Sequence, residues 1–130
     1  MPHMVMVHDK DPKDVIWEKV GDIGEIQVKY RNVLLATYVR PPETKGGIII
    51  PERYRDEDIY QGKAHLVLAM GPDAFASPEG EWDDINGVQE GDWVIIRAGD
   101  GWGLNVNGQD CKMCIDASIR MKIPHPDTVW

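Results

Sequence analysis

The stretch that decides the fold is ETKGGIIIPERYRDEDIYQGKAHLVLAMG, residues 43–71. Its first part places the isoleucines Ile48, Ile49 and Ile50 between a Gly-Gly pair and a proline, and a charged run follows them. Glycine and proline at these positions indicate a loop around the triplet. Its last part, KAHLVLAMG, is almost continuously apolar, which is typical of a strand that is buried on both faces.

The isoleucine triplet has two interpretations. It could be a short strand buried beneath a loop of its own domain. It could instead lie on a mobile segment and dock into an apolar groove of another protein. Burying two isoleucine side chains is worth roughly 3–6 kcal/mol before ordering costs, so one copy would bind weakly. Several copies on a ring would bind well, because linked sites raise the effective concentration.

The rest of the chain also favours short strands joined by turns. Ile26, Val28 and Tyr30 alternate, and Val33 and Leu35 continue in the other phase, which predicts one strand with a bend at residues 31–32. A further strand is predicted over residues 92–98. The dipeptides Asp-Gly at 100–101 and Asn-Gly at 107–108 predict hairpins, the second joining WGLNV to CKMCI.

These patterns predict an all-β protein, a small irregular barrel or sandwich without a long helix. The barrel domain is expected over residues 26–123. Residues 1–25 are interpreted as an N-terminal arm containing at best one helical turn or a short strand, and residues 124–130 as a C-terminal tail broken by prolines.

Charge and hydropathy restrict the class of partner. The formal net charge is −8, which argues against duplex nucleic acid or an anionic membrane as a partner, since both are also negatively charged. The sequence contains no apolar run of about 18 residues, as a membrane span would require. The first residues lack the basic and apolar regions of an export signal, so the cytoplasm is the expected location.

Residues that could carry chemistry do not form a recognisable site. Cys111 and Cys114 lie in a predicted strand, where residues three apart point to opposite faces, and ordinary packing is expected. The four histidines are scattered, and His65 within an apolar strand is expected to be a core or interface residue. The GDGWG run is interpreted as a hairpin rather than a phosphate loop, because a strand and not a helix follows it. We therefore expect no catalytic residues, no metal site, no cofactor and no enzymatic activity.

The order of these motifs resembles the GroES-type co-chaperonin family. The segment of residues 43–71 is similar to the family's mobile loop, Gly-Gly-Ile followed by two hydrophobic residues, and to the strand that comes after it. VQEGDWVIIRAGDGWG resembles the family's Val-x-x-Gly-Asp-x-Val strand and its Asp-Gly-Tyr-Gly turn, with Trp102 in the aromatic position. NGQDCKMCIDASI is similar to the closing hairpin and final strand.

The resemblance implies a GroES-like β-barrel that assembles into a ring and caps a GroEL-type chaperonin to assist protein folding. The homo-oligomer would bind the chaperonin's apical groove through its loop, and ATP would belong to the partner. The implied partner-binding residues are Gly46, Gly47, Ile48, Ile49, Ile50 and Pro51. The segment of residues 72–86 would form a roof-like loop over the ring centre, with the acidic residues Asp73, Glu79, Glu81, Asp83 and Asp84.

The extra segments at both ends leave an alternative open. An arm and a tail have no counterpart in a minimal co-chaperonin, and such additions suit a component of a shell that must reach its neighbours. Divergent relatives occur in tailed bacteriophages. The alternative function is therefore a structural or capsid decoration protein of a phage virion, with phage shell proteins as partners.

Overall fold

A computed structural model of the protein describes residues 6, 8, 10–61, 64–74 and 88–129. Two helices, α1 (Pro12–Val20) and α2 (Glu52–Gln61), accompany six strands: β1 (Asn32–Thr37), β2 (Ala64–Met70), β3 (Trp93–Ile95), β4 (Trp102–Val106), β5 (Gln109–Ile115) and β6 (Met121–Ile123). All strand pairs are antiparallel, in the order β4-β5-β1-β2-β3-β6. The predicted all-β class is confirmed. Neither α1 nor α2, the helices of the described ranges, is long and apolar enough to cross a membrane.

Both faces of the central strands are buried, as their continuous apolar sequences predict. On β1, Leu34 and Ala36 join one core cluster, while Val33 and Leu35 join a second cluster on the opposite face. The buried residues of β2 are divided between the same two clusters. His65 on β2 is fully buried, so its interpretation as a core residue is confirmed. Burial on both faces explains why polar and apolar residues do not alternate along either strand.

The hairpin at residues 107–108 forms as predicted and fixes the register of β4 and β5. Asn107 and Gly108 both have positive φ angles, 52° and 90°, which is the conformation of the tight hairpin turn that Asn-Gly favours. Cys111 and Cys114 on β5 are free thiols in different core clusters. Their placement thus confirms the prediction that the two thiols point to opposite faces of the strand and pack in the core.

The hairpin predicted at residues 100–101 does not form. β3 pairs with β2 and β6, whereas β4 pairs with β5. The intervening residues Ala98–Asp100 form a short 3-10 turn instead, in which the Asp100 carboxylate accepts two bonds from the Arg97 guanidinium at 3.0 Å each. A local turn dipeptide therefore does not determine which strands become neighbours in the sheet.

The strand predicted from Ile26 begins only at Asn32. The chain turns at Tyr30, which has a φ of 57°, because Gly71 presses against this segment. The amide of Gly71 donates to the Asn32 carbonyl at 2.8 Å, and a Cβ on Gly71 would lie 2.2 Å from the Tyr30 carbonyl oxygen. The close approach requires glycine at position 71 and separates residues 26–29 from the sheet.

The N-terminal segment contains a helix of nine residues, so the prediction of one helical turn at most is wrong. Asp11 caps α1 by accepting a bond from the Lys13 amide, and Pro12 suits the first helical turn. Ile16 and Val20, one turn apart, are buried in the same core cluster as β1 and β2. At least this part of the arm packs onto the barrel domain of its own chain.

Candidate functional site

The isoleucines lie on a short hairpin, which we call the isoleucine hairpin (residues 42–51). Glu43 and Ile49 form an antiparallel bridge, and the Thr44 amide donates to the Ile48 carbonyl at 2.9 Å. The Gly47 amide closes the turn onto the Thr44 carbonyl at 3.0 Å. Gly47 has a φ of 86°, which a side chain would make unfavourable. Gly47 therefore has a conformational role in presenting the isoleucines.

Thr44 anchors the turn of the hairpin. Its side chain is buried, and its Oγ1 accepts a bond from the Ile48 amide at 3.0 Å. Thr44 also forms an antiparallel bridge with Met6 of the N-terminal segment. The hairpin is thus held by its own turn and by a residue far away in sequence.

The three isoleucines have different environments. Ile48 and Ile49 are 59% and 66% exposed, whereas Ile50 is 6% exposed. The Ile50 amide donates to the Pro42 carbonyl at 2.8 Å, so this residue completes the base of the hairpin. Of the two interpretations of the triplet, the buried one applies to Ile50 alone. Of the three isoleucines, Ile48 and Ile49 are thus the ones exposed to a partner in this conformation, and Ile50 is buried.

The charged run after the hairpin forms α2, where the sequence indicated a loop. An ion pair between Arg40 and Asp58 connects the segment that follows β1 to α2. The side chains of Arg40 and Asp58 are 15% and 5% exposed. The Arg40 guanidinium donates to both carboxylate oxygens, at 2.8 and 3.0 Å, and the Arg40 amide adds a bond of 3.0 Å. Arg55 donates to the Arg40 carbonyl at 2.7 Å. The hairpin therefore lies between two anchored segments.

This arrangement suits binding of an apolar groove. Two neighbouring β-branched side chains are offered to solvent, while the backbone that carries them is already hydrogen-bonded. Because the hairpin has fewer conformations to lose on docking than a free loop has, more of the burial free energy remains for binding. The exposed isoleucines therefore favour a docking role for this hairpin.

The roof-like segment is only partly described. Asp73 is exposed, and its amide donates to the Tyr30 carbonyl at 3.0 Å. The other acidic residues assigned to this segment, Glu79, Glu81, Asp83 and Asp84, lie outside the described residues.

The two thiols are poor candidates for reactive groups. Burial raises the pKa of both Cys111 and Cys114 from 9.0 to about 11. Because the thiolate is the reactive form, a raised pKa keeps these groups inert at neutral pH.

One cluster could not be found from the sequence. His8, His125 and Asp127 lie together, although more than a hundred residues separate the first from the other two. No spacing rule joins positions at opposite ends of a chain. Only the folding of both ends onto the barrel brings them into contact.

Comparison with known protein families gives a match over most of the chain. Residues 25–123 match the family model Cpn10, described as the chaperonin 10 Kd subunit. The matched segment includes the isoleucine hairpin, α2 and all six strands. A comparison with curated proteins finds no match.

Proposed function

Because the chain belongs to the chaperonin 10 Kd subunit family, we propose that it caps a GroEL-type chaperonin by docking Ile48 and Ile49 into an apolar groove of the partner. The proposed protein is a ring-forming co-chaperonin that assists protein folding. It acts by binding, without catalysis or a cofactor of its own, and ATP hydrolysis belongs to the chaperonin.

The observation that carries this proposal is the exposure of two adjacent isoleucines on a hydrogen-bonded hairpin. Fully burying one isoleucine side chain stabilises by about 1.5–3 kcal/mol. Since Ile48 and Ile49 are already about 40% buried, docking would add roughly 2–4 kcal/mol per subunit for the pair. One hairpin alone would therefore bind more weakly than about 1 mM.

A ring makes this weak contact sufficient. When several hairpins are held on one assembly, each later docking event is intramolecular, and the overall affinity rises by about 10²–10⁴ or more. Weak single contacts also allow the cap to leave when the partner changes its conformation. The proposal thus requires a homo-oligomer, and it places the protein's action in the cytoplasm.

The capsid decoration alternative calls for an arm and a tail that clasp neighbouring shell proteins. The contacts in the described residues do not favour it over capping. In the described parts of both ends, α1 packs into the barrel core, and Val129 of the tail packs against the same cluster.

The test compares Ile49→Asp with the wild-type protein in co-sedimentation with a GroEL-type chaperonin, with and without nucleotide. We expect Ile49→Asp to weaken capping at least about tenfold, because the loss recurs in each subunit. Ile49→Val should retain most binding. Ile26, 41% exposed outside the hairpin, offers a matched control as Ile26→Asp. Unchanged binding by an Ile49→Asp protein of normal native mass would refute the proposal.

A further inference from the structure

A polar cluster connects the two ends of the chain beside β1. The potential ligand atoms of His8, His125 and Asp127 all lie within 4.8 Å of one another. His8 Nε2 is 3.4 Å from Asp127 Oδ2, and His125 Nδ1 is 3.8 Å from the same oxygen. Two imidazoles and a carboxylate thus converge on one point.

These separations suit a tetrahedral metal ion. Zinc binds histidine nitrogen and carboxylate oxygen at about 2.0–2.2 Å, which places neighbouring ligand atoms roughly 3.3–3.6 Å apart. The His8–Asp127 separation of 3.4 Å falls within this range, and the His125–Asp127 separation of 3.8 Å lies just above it. With all three ligand atoms within 4.8 Å of one another, side-chain rotations would complete the geometry. Oxygen-only ions such as Ca²⁺ and Mg²⁺ do not favour a pair of imidazoles.

The carboxylate is held in position by groups that are not ligands. The Met6 amide donates to Asp127 Oδ2 at 3.2 Å, and the Tyr38 hydroxyl donates to Oδ1 at 3.4 Å. Asp127 itself is 5% exposed. Donors of this kind orient a ligating carboxylate and increase metal affinity. The outer partners that a zinc site needs are therefore present on the protein.

We propose that His8, His125 and Asp127 bind a Zn²⁺ ion that ties the N-terminal segment to the C-terminal tail. Three protein ligands leave the fourth position for water. An ion can enter from solvent, because the side chain of His125 is 41% exposed and that of His8 is 17% exposed. His125 Nδ1 accepts a bond of 3.1 Å from the Asp127 amide, and the ion would replace that bond.

The site also bears on the isoleucine hairpin. Met6, which donates to Asp127, forms the bridge to Thr44 beside the turn of the hairpin. A metal ion on Asp127 would therefore stabilise the support of the hairpin, although the ion lies outside the proposed docking residues. Hydrogen exchange of the Thr44 and Ile48 amides should slow when Zn²⁺ is added.

The experiment is a calorimetric titration of the chelator-treated full chain with ZnCl₂, with Co²⁺ as a spectroscopic probe. We expect one ion per chain and the visible bands of tetrahedral Co²⁺. His125→Gln and Asp127→Asn should each weaken binding by about 10- to 100-fold or more. Asp56→Asn removes an exposed carboxylate from α2 and should bind like the wild-type protein.

His125→Gln keeps the test valid if Asp127→Asn fails to fold, because residue 125 is partly exposed. Circular dichroism checks the fold of each variant. The absence of stoichiometric Zn²⁺ binding by the wild-type chain would overturn the proposal. Equal binding by the wild-type chain and a folded His125→Gln variant would also overturn it. Neither result bears on chaperonin capping.

Discussion

Replacing Asp58 with alanine tests whether α2 is an integral part of the fold. The change removes three hydrogen bonds that Arg40 donates, two from its guanidinium and one from its amide. It also removes the carboxylate that neutralises a guanidinium of low exposure. Both effects act where the chain leaves β1 toward the isoleucine hairpin.

The magnitude follows from the burial of the pair. Ion pairs on the surface contribute about 0–1 kcal/mol, but the Arg40 and Asp58 side chains are only 15% and 5% exposed. Breaking a buried pair by removing one partner destabilises by about 3–5 kcal/mol. We therefore expect Asp58→Ala to lower the free energy of unfolding by about 3–5 kcal/mol. The double variant Arg40→Met/Asp58→Leu should recover most of this loss, because apolar packing avoids burying a charge.

The assay is urea denaturation of the wild-type protein and Asp58→Ala, together with a double-mutant cycle of Arg40→Met, Asp58→Leu and the double variant. Glu57→Ala is the matched control, since Glu57 is the exposed neighbour of Asp58 on α2, and it should change stability by less than about 0.5 kcal/mol. A loss of less than about 1 kcal/mol in Asp58→Ala would show that the pair behaves as a surface pair. The anchoring role of α2 would then be refuted.

Two further predictions concern stability and reactivity. In thermal melts, Gly71→Ala should destabilise the protein by up to about 3 kcal/mol, because its Cβ would meet the Tyr30 carbonyl. Gly99→Ala is the control and should have little effect, since nothing lies within 4 Å of a Cβ at that position. Equal melting temperatures of the two variants would contradict this account. Cys111 and Cys114, whose thiol pKa values burial raises to about 11, should react slowly with iodoacetamide at neutral pH in the folded protein and rapidly in urea. Because folding favours the protonated thiols, their stabilising contribution is complete below pH 9 and decreases between pH 9 and about 11. The decrease is at most about 1.4 kcal/mol per pH unit for each thiol. A free energy of unfolding that rises over this interval would contradict the raised thiol pKa values.

Much of the sheet could be predicted because its signals are local. The Asn107-Gly108 turn joins two adjacent strands with positive φ angles at both residues, and any sequence that supplies this turn between two apolar segments favours the same hairpin. The buried strand Ala64–Met70 was recognisable from its continuous apolar run. The exposed isoleucines, too, were recognisable, because glycine and proline marked the ends of their segment.

The tertiary structure decided what depends on distant contacts. The charged sequence of α2 has a weak apolar pattern, and its helix is anchored through Asp58 to Arg40, which lies before the hairpin. The Asp100-Gly101 dipeptide carries a strong turn signal, yet β3 and β4 pair with other strands because register depends on the whole sheet.

The same division applies to the candidate sites. The sequence by itself placed three isoleucines after two glycines, a pattern that left both a buried strand and a docking segment open. Only the folded chain separates buried Ile50 from exposed Ile48 and Ile49, since exposure depends on what packs against each side chain. The cluster of His8 with Asp127 likewise exists only because both of these distant segments meet at Tyr38, and no local pattern specifies contacts between positions so far apart.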